Sequence, residues 1–157
     1  MERDDLELLR GLLTECRVLA LALVDGAVPV AGLMPFLAHA DLGSLYVHGS
    51  RLAKHTRALA AGGPFSAVVH RPDLPEHDPL QLPRLMLEGE IVQVDETEVA
   101  EVRSRWIARF PMAALTVQLG DFAFYRLEIR SGRLIAGFAR AFGVSQKALA
   151  EAALLAR

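Results

Sequence analysis

A succession of short apolar segments, each of strand length and each bounded by turn residues, constrains the fold more than any other feature. The first two segments, 18–24 and 28–37, flank Asp25-Gly26, a dipeptide typical of tight hairpins. Segments of the same kind follow at 44–48, 65–70, 85–94, 121–129 and 133–138. Six or seven short strands joined mostly by hairpins predict an antiparallel sheet, since a parallel sheet needs regular strand–helix alternation.

Single helices interrupt these strands. Leucines at three- and four-residue steps predict a helix over 4–15, Asp95 reads as the cap of a helix over 96–109, and a last helix covers 145–155. Closing the sheet would remove its exposed edges, and the helices could cover the open ends. We therefore expect a mainly β fold, a six- to seven-stranded antiparallel barrel with flanking helices.

Local signals add detail to two of the strands. Gly89 within 85–94 predicts a bulge or a close approach of the backbone. Arg130-Ser131-Gly132 reads as a turn, which would make 121–129 and 133–138 a hairpin. Four prolines in 71–83 predict an exposed loop.

Length and composition bound the organisation of the chain. With 157 residues and 52% hydrophobic content, we expect a single domain over 1–157 with one well-formed core. The single cysteine, Cys16, cannot form an internal disulfide, which fits a reducing compartment. The acidic start and the lack of an apolar stretch of membrane-spanning length favour a cytoplasmic protein with no membrane partner.

Charge and motifs exclude several classes of function. A net charge of −2 and the lack of a DNA-binding motif argue against a nucleic-acid partner. The familiar glycine-rich nucleotide motifs, the His-Glu-x-x-His zinc motif and the Gly-x-Ser-x-Gly elbow are absent, so the sequence indicates no catalytic residue. The five histidines lack metal-ligand spacing, and no metal site is expected.

A basic segment over 49–57 is the main chemical signal. Ser50 follows a strand and is predicted to cap a helix, and Arg51 beside it carries a forked donor set suited to a phosphate or a carboxylate. Lys54 and His55 follow at helical spacing, which would place them on the same face as Arg51. The alternative is an ordinary helix with a basic, solvated outer face.

Four landmarks in order give this chain a family resemblance. It resembles the FMN-binding split-barrel superfamily related to pyridoxamine 5′-phosphate oxidase, in particular its haem-utilisation branch of the HugZ type. The landmarks are Ser50-Arg51-Leu52-Ala53-Lys54-His55-Thr56-Arg57, Pro83-Arg84-Leu85-Met86-Leu87-Glu88-Gly89, Gly120-Asp121-Phe122-Ala123-Phe124-Tyr125-Arg126-Leu127 and Gly137-Phe138-Ala139-Arg140-Ala141-Phe142.

The resemblance implies a homodimer with FMN, or alternatively haem, in a cleft between subunits. It implies that Ser50 and Arg51 receive the FMN phosphate, and that Arg84 contacts the ring system or a carboxylate. Lys54, His55 and Thr56 resemble the haem-branch pattern, in which Thr56 would add a hydroxyl to the anion. The alternatives are a surface arginine at position 84 and a threonine at position 56 that only packs against neighbouring leucines.

The chain also departs from the oxidase pattern. The segment 32–36 supplies no arginine or lysine, although relatives with oxidase activity carry a basic strand motif there. Leu52 occupies the place of a lysine. Pyridoxamine phosphate oxidation is therefore not the expected reaction.

Three hypotheses of function follow. The first is a flavin-dependent oxidoreductase that binds FMN and acts on a small-molecule redox substrate, the flavin supplying the redox chemistry. The second is a HugZ-like haem-binding or haem-degrading protein. The third is a non-catalytic protein that keeps the barrel and binds a cofactor.

Overall fold

The computed structural model describes residues 1–155, in which seven strands form one antiparallel sheet and four α-helices flank it. The strands are β1 (Val18–Asp25), β2 (Val28–Ala38), β3 (Ser44–Ser50), β4 (Gly63–His70), β5 (Arg84–Gln93), β6 (Phe122–Gly137) and β7 (Arg140–Val144). The helices are α1 (Arg3–Glu15), α2 (Lys54–Ala61), α3 (Glu96–Arg109) and α4 (Gln146–Leu154).

The sheet closes on itself. Its strands run in the order β3-β2-β1-β4-β5-β6-β7, and β3 also pairs with β6, so six strands form a closed barrel. The seventh strand, β7, pairs with β6 outside the ring. The predicted antiparallel barrel is confirmed, and its fold is that of a split barrel.

The predicted hairpin around residues 130–132 is wrong, because β6 runs unbroken from Phe122 to Gly137. Ser131 and Gly132 stay paired with β5, opposite Glu88 and Leu87. Strand pairing on that side overrides the turn propensity of the sequence. The chain reverses instead after Gly137, through Ala139 with a positive φ of 58°, and returns as β7.

The bulge predicted at Gly89 is confirmed. The β5–β6 register shifts between Glu88 and Gly89. A Cβ atom at Gly89 would collide with the carbonyl oxygen of Glu128 on β6, so the two backbones approach closely there. Only glycine allows this approach without displacing a strand.

Two hydrophobic clusters hold the fold together. The larger fills the barrel and includes Leu21 of β1, Leu45 and Val47 of β3, and leucines of α1 and α4. The smaller lies outside the barrel, where α3 packs against β3 and β6. It contains Tyr46, Val102, Trp106, Phe110, Val117 and Phe124. Both faces of β3 are therefore buried, which explains why nearly the whole strand is inaccessible.

The outer face of β1 and β2 carries apolar side chains that nothing in residues 1–155 covers. The buried leucines of β1 alternate with exposed residues such as Val18 and Val24. On β2, Leu33 is 71% exposed. None of the helices in residues 1–155 is long and apolar enough to span a bilayer.

Candidate functional site

The turn after β3 forms a corner that is held from β6. Ser50 pairs with Phe122 at the end of the β3–β6 ladder. The Ser50 hydroxyl donates to a carboxylate oxygen of Asp121 and accepts a hydrogen bond from the backbone N–H of Leu52, at 2.5 and 3.2 Å. The backbone N–H of Arg51 donates to the carbonyl of Asp121 at 2.7 Å. Asp121 therefore fixes the turn through its side chain and its backbone.

The predicted capping role of Ser50 is wrong. Helix α2 begins only at Lys54, and its capping position is Ala53, which has no side-chain hydrogen bond to offer. The serine hydroxyl is used in the turn instead. Arg51 precedes the helix, so it does not share a helical face with Lys54 and His55 as the spacing suggested.

The other predicted residues of the basic segment lie in different surroundings. Lys54 is exposed at the start of α2, whereas His55 is half-buried against Gly32 of β2. Thr56 is completely buried, and its hydroxyl has no hydrogen-bond partner in the described chain. A Cβ atom on Gly49 would lie 2.8 Å from that hydroxyl, so Thr56 packs directly against β3.

Arg84 lies apart from the Ser50–Arg51 corner. It begins β5, where it pairs with His70 of β4. Its guanidinium donates to the carbonyls of Leu80 and Leu82 in the proline-rich loop, at 3.4 and 3.1 Å. The structure therefore does not bring Arg84 together with Arg51 within one chain.

A cleft of about 570 Å³ opens beside the corner, between α3 and the outer face of β3 and β6. We call it the aromatic cleft. Its lining includes His48, Arg51, Arg103, Phe122, Phe124 and Glu96. Arg51 is exposed, and one of its N–H groups donates to the Gly120 carbonyl at 3.0 Å. A guanidinium carries five donors, so others remain for a ligand.

His48 lies among aromatic rings in the wall of the aromatic cleft. Its ring centroid lies 4.3 Å from that of Phe124, 5.1 Å from that of Phe122 and 5.8 Å from that of Trp106. The residue is 9% exposed, and its imidazole makes no hydrogen bond to any residue in 1–155. Burial, with the charge of Arg103 as a smaller cause, lowers the pKa of His48 to about 4. The imidazole is therefore uncharged at neutral pH.

Sequence reasoning missed His48 as a site residue because five histidines were weighed only by their spacing. The signal that could have found it is the period of two along β3, which puts Tyr46, His48 and Ser50 on one face. Trp106 of α3 lies buried against that same face.

The lining of the aromatic cleft combines aromatic rings with two arginines and the carboxylate of Glu96. Such a lining suits a flat ring carrying negative groups, because aromatic faces stack on the ring and guanidinium groups bind carboxylates or phosphates. No group of three or more histidine, cysteine, aspartate or glutamate side chains is placed to hold a metal ion in the part of the chain that the structure describes.

Comparisons with known proteins agree with this architecture. No family model matches the chain. The non-canonical heme oxygenase HOZ, a chloroplastic protein of Arabidopsis thaliana, is 39% identical over 114 residues, which are 73% of this chain and 34% of that protein. The chain thus spans about a third of the length of the curated relative it matches.

Solved structures share the fold. A heme binding protein from Mycobacterium smegmatis superposes with a TM-score of 0.84 at 23% identity, covering 96% of this chain and 62% of that one. A candidate pyridoxamine 5′-phosphate oxidase from Listeria innocua superposes with a TM-score of 0.62 at 15% identity, covering 84% and 98%. The chain therefore has the split-barrel fold that a heme binding protein and a pyridoxamine 5′-phosphate oxidase-like protein share, and it is related in sequence to a non-canonical heme oxygenase.

Proposed function

We propose that this chain binds haem in the aromatic cleft. The observation that carries the proposal is His48, an uncharged imidazole set among aromatic rings in a cleft that Arg51 and Arg103 also line. Neutral imidazole is a common ligand of haem iron, and the arginines match the two propionates in charge. The name of the Arabidopsis relative, a heme oxygenase, points to the same ligand.

The corner residues favour haem over FMN as the ligand. The Ser50 hydroxyl already donates to the Asp121 carboxylate, so the serine is not free to donate to an FMN phosphate. The segment 32–36 adds no positive charge nearby. Haem propionates need only the arginines, which leaves the Ser50–Asp121 pair intact.

Spectroscopy tests the proposal directly. Purified protein titrated with haemin should give a sharpened Soret band, shifted from that of free haemin, that saturates with added haemin. His48→Phe should shift that band by removing the nitrogen while keeping an aromatic ring in the cluster. His70→Phe is the matched control, because His70 is exposed and lies outside the aromatic cleft. A Soret band that stays that of free haemin with the wild-type chain would overturn haem binding, and a His48→Phe band equal to that of the wild type would remove His48 as the ligand.

A second titration addresses FMN, the other candidate. Arg51 is exposed, and only one of its N–H groups is used, in the bond to the Gly120 carbonyl. It is therefore the residue that favours a phosphate group. Binding of FMN should quench its fluorescence, and Arg51→Ala should weaken that binding by about 1.5–3 kcal/mol, as expected for a charge-assisted contact. FMN binding that is indifferent to Arg51 would remove this residue from the site.

Haem breakdown is the activity that the relative's name suggests. Haem-loaded protein given ascorbate in air would lose its Soret band and release iron to a chelator if the chain acts as an oxygenase. A stable Soret band would indicate the binding-only alternative. Controls with free haemin and with His48→Phe separate enzymatic from spontaneous breakdown.

The outer face of β1 and β2 supports a homodimer as part of this proposal. Leu33 pairs with Ala20 across the β1–β2 ladder, and Ala20 pairs with Val68 of β4 in the same row. Val68 in turn pairs with Met86 of β5, so the row is apolar across four strands. An exposed apolar patch of this kind marks a contact site, and a second copy could cover it through two-fold symmetry.

A further inference from the structure

Three arginines line a cavity of about 490 Å³ on another side of the molecule. Arg10 comes from α1, and Arg105 and Arg109 come from α3. The cavity continues along the end of β2 and the residues that follow it, and none of its lining residues lines the aromatic cleft. We call it the arginine pocket.

Each guanidinium in the arginine pocket is held by a backbone carbonyl. Arg10 donates to the carbonyl of Ala153 at 3.1 Å, and Arg105 donates to that of Ala38 at 2.9 Å. Arg109 donates to the carbonyl of Cys16 at 2.6 Å. These contacts orient the side chains but leave most of their donors unused. The Nε atom of Arg109 is buried and has no partner within the described residues.

The positive charge of the arginine pocket has little compensation. Among residues 1–155, no acidic side chain lines it. The nearest ion pair is that of Arg105 with Glu101, at 3.8 Å, and the Glu101 side chain is 76% exposed to water. Arginines elsewhere have closer partners, such as Arg71 with Glu15 at 2.6 Å.

Of the three arginines, Arg109 is the one whose charged form is disfavoured by its surroundings. Burial, and then the charge of Arg17, lowers the pKa of Arg109. Partly buried like charges destabilise the folded chain unless an anion joins them. Apolar walls from Leu13, Leu37 and Leu42 stand beside the guanidinium groups. The lining is therefore amphiphilic, with charge and apolar surface in one cavity.

We propose that the arginine pocket binds a small organic anion that carries two or more phosphate or carboxylate groups on an apolar body. Guanidinium groups recognise both kinds of oxyanion through paired N–H donors, and three of them, two from α3 and one from α1, favour a multivalent ligand. This site is separate from the aromatic cleft, so it does not depend on haem or FMN.

Calorimetric titration of the haem-free chain tests the proposal with three probes. Inorganic pyrophosphate and citrate separate phosphate from carboxylate recognition, and phenyl phosphate tests the apolar wall. At least one probe should bind, and Arg105→Gln and Arg109→Gln should each weaken that binding roughly ten- to a hundredfold, the effect of losing a charge-assisted contact.

Two matched variants control for charge alone. Arg130→Gln and Arg133→Gln each remove an exposed arginine of β6 that does not line the arginine pocket. Both should bind the probe as the wild type does. Equal weakening in the controls, or no binding of any probe by the wild type, would overturn the proposal.

A conservative variant separates weaker anion binding from loss of the fold. Arg105→Lys keeps the charge but loses the planar fork, so it should bind the probe more weakly than wild type and more tightly than Arg105→Gln. The circular dichroism spectrum of each variant reports whether it is folded. Wild-type affinity in a folded Arg105→Gln variant would contradict the proposed role of the pocket.

Discussion

The Ser50 hydroxyl and the Asp121 carboxylate lie 2.5 Å apart, across the neighbouring ends of β3 and β6. Asp121 also accepts the backbone N–H of Arg51, so one residue holds both the serine and the start of the turn. The pair leaves the guanidinium of Arg51 as the group that this corner offers to an anion. A serine expected to receive a phosphate is thereby engaged within the chain.

Removing the carboxylate should lower the stability of the chain. We expect Asp121→Ala to reduce the free energy of unfolding by about 1–2 kcal/mol, because the half-buried Ser50 hydroxyl loses its acceptor. Ser50→Ala should cost a similar amount, and urea denaturation measures both. The double variant should cost less than the sum of the two, since the residues share one interaction. Strict additivity would show that the hydrogen bond contributes nothing.

Acid should weaken the fold through His48. The pKa of His48 is about 4 in the folded chain against an ordinary 6.5 in the unfolded chain. Between these values the unfolded chain binds a proton that the folded chain does not. This contribution is therefore fully present above pH 6.5 and is lost as the pH falls towards 4, by roughly 3 kcal/mol at most.

Comparing wild type with His48→Phe isolates this contribution. Carboxylates titrate in the same range, so urea denaturation at several pH values from 4 to 7.5 should be read as the difference between the two proteins. The wild type should lose stability more steeply between pH 6.5 and 4 than the variant does. Parallel curves would show that the His48 pKa is ordinary.

The sequence predicted the barrel because strand-length apolar runs and hairpin turns are local signals. The hairpin at Asp25-Gly26, the cap at Asp95 and the bulge at Gly89 all lie where residue chemistry alone placed them. The continuity of β6 could not be predicted in this way. Ser131 and Gly132 have turn propensity, and only their pairing with β5 keeps them extended.

The candidate site was less predictable, because it is assembled by long-range contacts. Ser50 and Asp121 are 71 residues apart, and nothing local shows that the serine hydroxyl is already used. The aromatic cleft joins β3, β6 and α3, so His48 and Trp106 meet only in the fold. Arg51 was identified from the sequence, whereas Arg103, which lines the same cleft, was not.

Removing the hydroxyl of Thr56 should not lower the free energy of unfolding. Its hydroxyl is fully buried and has no partner in the described chain, so Thr56→Val should leave the free energy of unfolding unchanged or raise it by up to about 1 kcal/mol. Thr97→Val is the matched control, because that hydroxyl donates to Asp95 at 2.7 Å, and it should destabilise the chain. Weaker haem or FMN binding by Thr56→Val would instead support the ligand role that the family resemblance implies.

Gly89 should tolerate no side chain. A Cβ atom there would collide with the Glu128 carbonyl of the neighbouring strand, so we expect Gly89→Ala to lower the free energy of unfolding by about 3 kcal/mol or more. Gly143→Ala is the control, since a Cβ atom on that β7 glycine has no neighbour within 4 Å. Thermal or urea denaturation measures both. Equal, small effects would mean that β6 can move away from the bulge.

The apolar row on the outer face of the barrel predicts a dimer that a single charge would break. Leu33 is 71% exposed, and its cross-strand neighbours on β1 and β4 are Ala20 and Val68. In a two-fold dimer built on this face, Leu33→Asp places two desolvated carboxylates at the contact. Light scattering after size-exclusion chromatography should give twice the chain mass of 17.1 kDa for the wild type and the chain mass for the variant. Leu115→Asp, on an exposed leucine remote from these strands in sequence, should stay dimeric, and a monomeric wild type would refute the dimer.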